Sequence, residues 1–296
     1  MFLQNLYFCR PKLSAFMSKI NSFIRNSLHG YYTPQEVACF SRIICCDVFG
    51  QSSVDFYLGK DISLSPKEEQ KLADILQQLM KYCPIQYVLG EARFLGRTFH
   101  VAQGVLIPRP ETEEMVEMML REIPKDAHVL DIGTGSGCIA VTLSKELPHA
   151  KVEAWDISER ALEIAKSNNE ALNASVGFKL CDVLAYQSVA EDVYDVIVSN
   201  PPYIAEKEKC DMQPNVLDWE PDLALFVPDE DPLRFYRRIG EIGMSVLLQG
   251  GLLYFEINRA YGNDVVEMLQ TQGYQHVRLE KDLSGNDRFV VAQKVK

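Results

Sequence analysis

Apolar residues recur at helical spacing through the first third of the chain. Ile20, Ile24 and Leu28 form one stripe, Met17 precedes them in the same phase, and Phe23 widens the apolar face. Thr33-Pro34-Gln35-Glu36 sets a capping side chain, a proline and an acid ahead of residues 37–48, which predicts a second helix. Ser65-Pro66-Lys67-Glu68 repeats the device before Leu72, Ile75, Leu76 and Leu79. Short helices joined by polar turns predict a small helical bundle.

From Gln86 the texture changes. Tyr87-Val88-Leu89-Gly90 and Phe94-Leu95-Gly96-Arg97-Thr98-Phe99 are apolar runs broken by glycine, which read as a β-hairpin linker over residues 86–107. Pro108-Arg109-Pro110-Glu111-Thr112-Glu113 then opens a helix through Met115, Met118 and Leu120. Beyond it, strand-like runs at 128–133, 151–157, 178–183, 194–200 and 251–257 alternate with helical stretches. That rhythm predicts an α/β fold with a doubly wound parallel sheet and a ligand crevice at the carboxyl ends of its strands. Residues 276–283 and 288–294 flank Ser284-Gly285-Asn286-Asp287 and predict a C-terminal antiparallel hairpin. The expected organisation is a helical domain over residues 1–85, the linker over 86–107, and a larger domain over 108–296.

Composition narrows what such a chain does. Its 296 residues are 47% hydrophobic and 24% charged, the balance of a soluble globular protein with a sizeable core. No apolar run is long enough to span a bilayer, so no membrane association is expected. The net charge of −11 disfavours a sequence-independent grip on nucleic acid, which depends on Lys and Arg displacing counterions. Residues 1–90 hold nine basic and seven acidic side chains, which leaves 21 basic and 34 acidic for the remainder. Eight cysteines without a Cys-x-x-Cys spacing, and only five histidines, argue against a zinc site and for a reduced, cytoplasmic setting. Residues 1–35 contain Arg10, Lys12, Lys19 and Arg25 but no acid, which faintly resembles a transit segment. An extension preceding a helix that starts at Met17 is the preferred reading.

Two segments carry chemistry. Val129-Leu130-Asp131-Ile132-Gly133-Thr134-Gly135-Ser136-Gly137 is an apolar strand that runs into a glycine turn and then a helix. Glycines admit a ligand close to the backbone, and a helix N-terminus offers it amides. Gly133, Thr134, Gly135, Ser136 and Gly137 are therefore cofactor-binding candidates, although their spacing departs from the dinucleotide fingerprint. Asp156 ends the next strand 19 positions after Gly137 and is the ribose candidate, while Asp182 and Val183 end the third and suit an adenine edge. Each acid alone also reads as a helix cap. Together they resemble class I methyltransferases that use S-adenosyl-L-methionine, with Asp131 near the amino acid end of that cofactor. A nicotinamide dehydrogenase is the competing reading.

The second segment is Asp195-Val196-Ile197-Val198-Ser199-Asn200-Pro201-Pro202-Tyr203, a buried strand ending at the same crevice. Two prolines stiffen the backbone there and remove its donors. The Asn200 side-chain oxygen and the Pro201 carbonyl can together accept both hydrogens of a planar NH2 group, with Tyr203 over one face. Such a nitrogen is a poor nucleophile because its lone pair is delocalised, the same resonance that gives a peptide bond its barrier of ~18–20 kcal/mol. Two acceptors push density back onto nitrogen and aim it, so no general base is obligatory. A plain turn after a strand is the bland alternative. The connection that follows, residues 204–229 with Trp219-Glu220-Pro221, is long enough to be a lid.

Asn-Pro-Pro-Tyr resembles the motif of enzymes that methylate adenine, the exocyclic nitrogen of guanine, or the glutamine side-chain amide. Three further segments decide among them: Pro84-Ile85-Gln86-Tyr87-Val88-Leu89-Gly90 with Phe94-Leu95-Gly96-Arg97-Thr98-Phe99, Ile107-Pro108-Arg109-Pro110-Glu111-Thr112-Glu113, and Asp282-Leu283-Ser284-Gly285. With them the chain resembles the HemK/PrmC family of protein glutamine methyltransferases from about Met17 to its end. The resemblance implies methylation of the glutamine N5 in the Gly-Gly-Gln loop of class-1 peptide chain release factors, with S-adenosyl-L-methionine as donor; a monomer is the expected state, although the sequence does not set it. It also implies that Asn200, Pro201, Pro202 and Tyr203 hold the glutamine amide, that Asn200 also meets the cofactor, and that residues 94–99 flank the amide's way in. Arg109 and Glu111 match a family segment near the crevice and read equally as a helix-opening salt bridge. Val183 and Asn286 depart from the family pattern, where a bulkier aromatic and a basic residue are common. A nucleobase exocyclic-amine methyltransferase acting on RNA or DNA is the alternative.

Overall fold

The computed structural model describes residues 20–187 and 193–295; the expected helix start at Met17 and Cys9 lie outside them. The chain divides into two compact units between Leu89 and Gly90. The first contains α1 (Ile20–Leu28), α2 (Pro34–Arg42), α3 (Ser53–Tyr57), α4 (Pro66–Leu79) and α5 (Ile85–Leu89). Thr33 and Ser65 cap α2 and α4, each accepting from the backbone N–H of the glutamate three residues on, whose carboxylate accepts in return. The stretch expected to be helical over 37–48 is α2 followed by a π-helical turn, Ile43–Val48. Ile24, Leu28, Ile44, Leu72 and Leu79 form the centre of this unit's core.

Residues 86–89 are helical, which corrects the strand-like reading of Tyr87-Val88-Leu89. The apolar run is short enough to serve either state, and here Ile85, Val88 and Leu89 turn onto the helical core. The hairpin is confined to β1 (Glu91–Phe94) and β2 (Arg97–His100), and it falls within the second unit. Leu95 and Gly96 form its two-residue turn at φ +44° and +75°, both left-handed as a tight hairpin requires. Phe94 and Phe99 are fully buried in the second unit's core, edge to face at 6.0 Å.

The second unit continues with α6 (Pro110–Glu122), β3 (His128–Ile132), α7 (Cys138–Glu146), β4 (Lys151–Asp156), α8 (Glu159–Ala171), β5 (Val176–Leu180) and β6 (Tyr194–Ser199). There follow β7 (Ile204–Ala205), α9 (Pro214–Leu217), α10 (Asp222–Leu225), β8 (Phe226–Val227), α11 (Arg234–Val246), β9 (Leu247–Glu256), α12 (Gly262–Thr271), β10 (Gln275–Lys281) and β11 (Asp287–Gln293). Seven strands form one sheet in the order β10-β11-β9-β6-β3-β4-β5. The ladders from β9 through β5 are parallel, and β11 runs antiparallel to both β9 and β10. Alternation along the strands separates two cores. Val129, Val196 and Val198 face α6 and α7, whereas Leu130, Ile132 and Ile197 face α11 and α12. The chain order reverses between β3 and β6, and a doubly wound sheet opens its crevice at such a point.

Candidate active site

Register brings the sequence-distant segments together. Ile132 pairs with Ser199 on one side and Trp155 on the other, so Gly133, Asn200 and Asp156 leave the sheet side by side. Ser199 Oγ donates to the Ile132 carbonyl at 2.7 Å and locks the two strand ends. β5 ends at Leu180, opposite Asp156, and the Cys181 N–H donates to the Asp156 carbonyl, which carries Asp182 to the same edge. A cavity of about 310 Å³ opens there. Gly133, Thr134, Gly135, Ser136, Asp156, Asp182, Val183, Asn200, Pro201 and Pro202 all line it.

The glycine loop is shaped before anything binds. Gly133 and Gly135 hold φ +78° and +54°, and a Cβ on either would meet no protein atom within 4 Å. Asp156 Oδ2 accepts from the Gly135 N–H and Oδ1 from the Ser158 N–H, both at 2.9 Å. Burial raises the Asp156 pKa, opposed by these backbone donors. Gly137 does a different job: it lies outside the cavity, and its Cβ position is 3.1 Å from Ala165 Cβ, so it permits α7 to pack on α8. Asp131 is also outside the lining. It is fully buried, accepts from Thr134 Oγ1 at 2.7 Å, and burial pushes its pKa up to about 7.

Behind Asn200 stands a buried relay of polar groups. Asn200 Nδ2 donates to Thr112 Oγ1 at 3.3 Å, and Thr112 Oγ1 donates to Glu256 Oε2 at 2.6 Å. Glu256 is 1% exposed; burial raises its pKa, and the Thr112 hydroxyl, Arg288 and the Tyr203 hydroxyl oppose the rise. Tyr203 does not line the cavity; its hydroxyl donates to Glu256 Oε1 at 3.2 Å.

Two other contacts fix the walls. Glu220 accepts from Arg109 Nη2 at 2.6 Å and from the Ile107 N–H at 3.2 Å, so the expected ion pair of Arg109 is made with Glu220. Pro221, Leu223 and Ala224 line the cavity beside it. The β7–β8 ladder closes the two ends of the connection after Tyr203 on each other, and Glu220 ties its middle to the cavity wall.

The chain matches the methyltransferase small domain family over residues 102–217 and the PrmC N-terminal domain family over residues 24–90. It is 55% identical over 278 residues to a release factor glutamine methyltransferase of Bacteroides thetaiotaomicron, covering 94% of this chain and all of that one. It is 41% identical to another of the same name from Flavobacterium psychrophilum, covering 89% and 94%. The chain belongs to the HemK/PrmC family. Among solved structures, a methyltransferase from Pyrococcus furiosus superimposes with a TM-score of 0.52 at 18% identity, over 79% of this chain and all of that one, and bears on the fold alone.

S-adenosyl-L-methionine, the HemK/PrmC cofactor, fits the cradle. Gly133 and Gly135 leave open the space that a side chain would fill, and Asp156 and Asp182 sit at strand ends beside the apolar Val183. Thr112, Glu220 and Glu256 were not singled out as site residues by the sequence. Thr112 lies inside the segment Ile107-Pro108-Arg109-Pro110-Glu111-Thr112-Glu113, and Glu256 ends an apolar strand just as Asp156 does, which is the signal that finds it.

Proposed function

We propose that this HemK/PrmC protein methylates the side-chain amide nitrogen of the Gly-Gly-Gln glutamine in class-1 release factors, as a cytoplasmic monomer. The observation that carries this reading is a single cavity lined at once by the glycine loop and by Asn200, Pro201 and Pro202. When bound, S-adenosyl-L-methionine supplies an electrophilic methyl carbon on a sulfonium. Gly133, Thr134, Gly135, Ser136, Asp156, Asp182 and Val183 are assigned to hold it. Asn200 Oδ1 and the Pro201 carbonyl are assigned to accept the two amide hydrogens, which orients the nitrogen and restores density to it. Pro202 stiffens that rim, and Tyr203 anchors it from behind through Glu256. Ile132, Ile139 and Phe235 give the cavity apolar walls.

No helix of the described residues is long and apolar enough to cross a membrane. The helical unit is assigned to recognition of the release factor away from the modified loop. Its α3 segment exposes Val54, Tyr57 and Leu58, which supports that assignment.

Incubation with labelled S-adenosyl-L-methionine and either a release factor or RNA and DNA tests the reading. Label is expected in the release-factor glutamine; label in nucleic acid alone favours the nucleobase alternative and overturns it. Asn200→Ala should lower turnover by ~10²–10³ with cofactor affinity retained.

A further inference from the structure

We propose that Thr112 and Glu256 are positioning residues that fix which end of the Asn200 carboxamide faces the cavity. A carboxamide is nearly symmetric in shape, so packing alone barely distinguishes its oxygen from its nitrogen. The reaction distinguishes them absolutely: an oxygen toward the substrate accepts its N–H, and an NH2 in that place repels it.

The relay makes the choice. Glu256 is buried and accepts on both oxygens, from Thr112 at 2.6 Å and from Tyr203 at 3.2 Å. Thr112 has one proton, and it is committed to Glu256. Toward Asn200 the threonine oxygen can then only accept, and it receives Asn200 Nδ2 at 3.3 Å. With Nδ2 bound there, Oδ1 is the end left for the cavity. Arg288, whose Nε donates to Asp282 Oδ2 at 3.2 Å, compensates the buried charge of Glu256. Four elements thus converge on one amide: the first turn of α6, the end of β9, the segment after β6 and the start of β11.

This inference rests on the reading that Asn200 accepts the substrate amide, and it gives Tyr203 a part in that arrangement. Thr112→Val keeps the shape and removes the acceptor, so kcat toward a Gly-Gly-Gln peptide should fall about 10²-fold, the scale of a misplaced reacting group. KM for S-adenosyl-L-methionine and the calorimetric Kd of S-adenosylhomocysteine should change far less than kcat, because valine keeps the shape of the cavity wall that Thr112 lines. Thr112→Ser should restore most of the rate. The Thr112→Val change should have almost no further effect in an Asn200→Ala background, because it acts through that side chain. Should Thr112→Val fail to fold, Thr112→Ala removes the same acceptor and replaces it in the cycle. Equal losses in both backgrounds, or no loss in the single variant, overturn the proposal. Absence of peptide methylation by the unaltered protein refutes the proposed function instead, and the two failures are distinguishable.

Discussion

Glu220 holds Arg109 at 2.6 Å and, with its other carboxylate oxygen, the backbone N–H of Ile107 at 3.2 Å. One nearly inaccessible side chain thereby ties the long connection after β6 to the segment that leads into α6. Glu220→Ala should leave that buried amide without an acceptor and lower stability by about 1–3 kcal/mol. Urea denaturation measures the loss. The same variant should raise KM for both substrates, since Pro108 and Pro221 line the cavity on either side of the pair. An unchanged urea midpoint would mean that the contact contributes nothing.

Asp131 predicts a pH dependence of stability. Burial raises its pKa from the ordinary 3.8 to about 7, the Asp156 charge adds to the rise, and the Thr134 hydroxyl opposes it. Between those values the folded protein keeps a proton that the unfolded chain has released. The contribution of this group is therefore full below about 4 and lost as pH rises through about 7. Asp156 and Glu256 are raised in the same direction, so the wild-type slope mixes all three. Asp131→Asn isolates one: its stability relative to wild type should be more favourable at pH 8 than at pH 5. A difference independent of pH would refute the assignment.

The two ends of the glycine loop should respond differently to the same substitution. Gly135→Ala places a methyl in the open cradle, so it should weaken cofactor binding strongly and cost stability only the ~1–2 kcal/mol of a left-handed alanine. Gly137→Ala drives a methyl to 3.1 Å from Ala165 and adds about 1–3 kcal/mol of overpacking to that strain. Its thermal midpoint should fall further while the folded fraction binds cofactor nearly normally. Calorimetric titration beside thermal melts separates the two effects.

Asn168 on α8 joins the hairpin to the cofactor loop. Its Nδ2 donates to the His100 and Ser136 carbonyls, both at 2.9 Å, and its Oδ1 accepts from the His100 N–H at 2.7 Å. Asn168→Asp removes both donations at a buried site, at about 1–3 kcal/mol for each group left unpaired. Hydrogen exchange should then accelerate in residues 97–100 and 133–137 together. Acceleration confined to one of the two segments would show that they are not coupled.

The alternation of apolar runs and glycine turns announced the parallel sheet, and the convergence of Asp156, Asp182 and Asn200 on one edge was legible because each follows such a run. Strand ends pair with fixed neighbours, so residues read separately along the chain arrive at one edge in space. Gly137 was grouped with the cofactor loop because a sequence cannot tell a glycine kept for a ligand from one kept for the helix behind it. Tyr87-Val88-Leu89 looked strand-like because three apolar residues carry no period. Thr112 and Glu256 were invisible as partners, since 144 positions separate them and only the folding of α6 over the end of β9 brings them to 2.6 Å.

The β7–β8 ladder has a further consequence. The two ends of a span of some two dozen residues are paired with each other, and a buried acid in its middle holds Ile107 and Arg109. An extended side chain at the tip of a supple loop can thread into an aperture edged in this way without taking the closed connection apart.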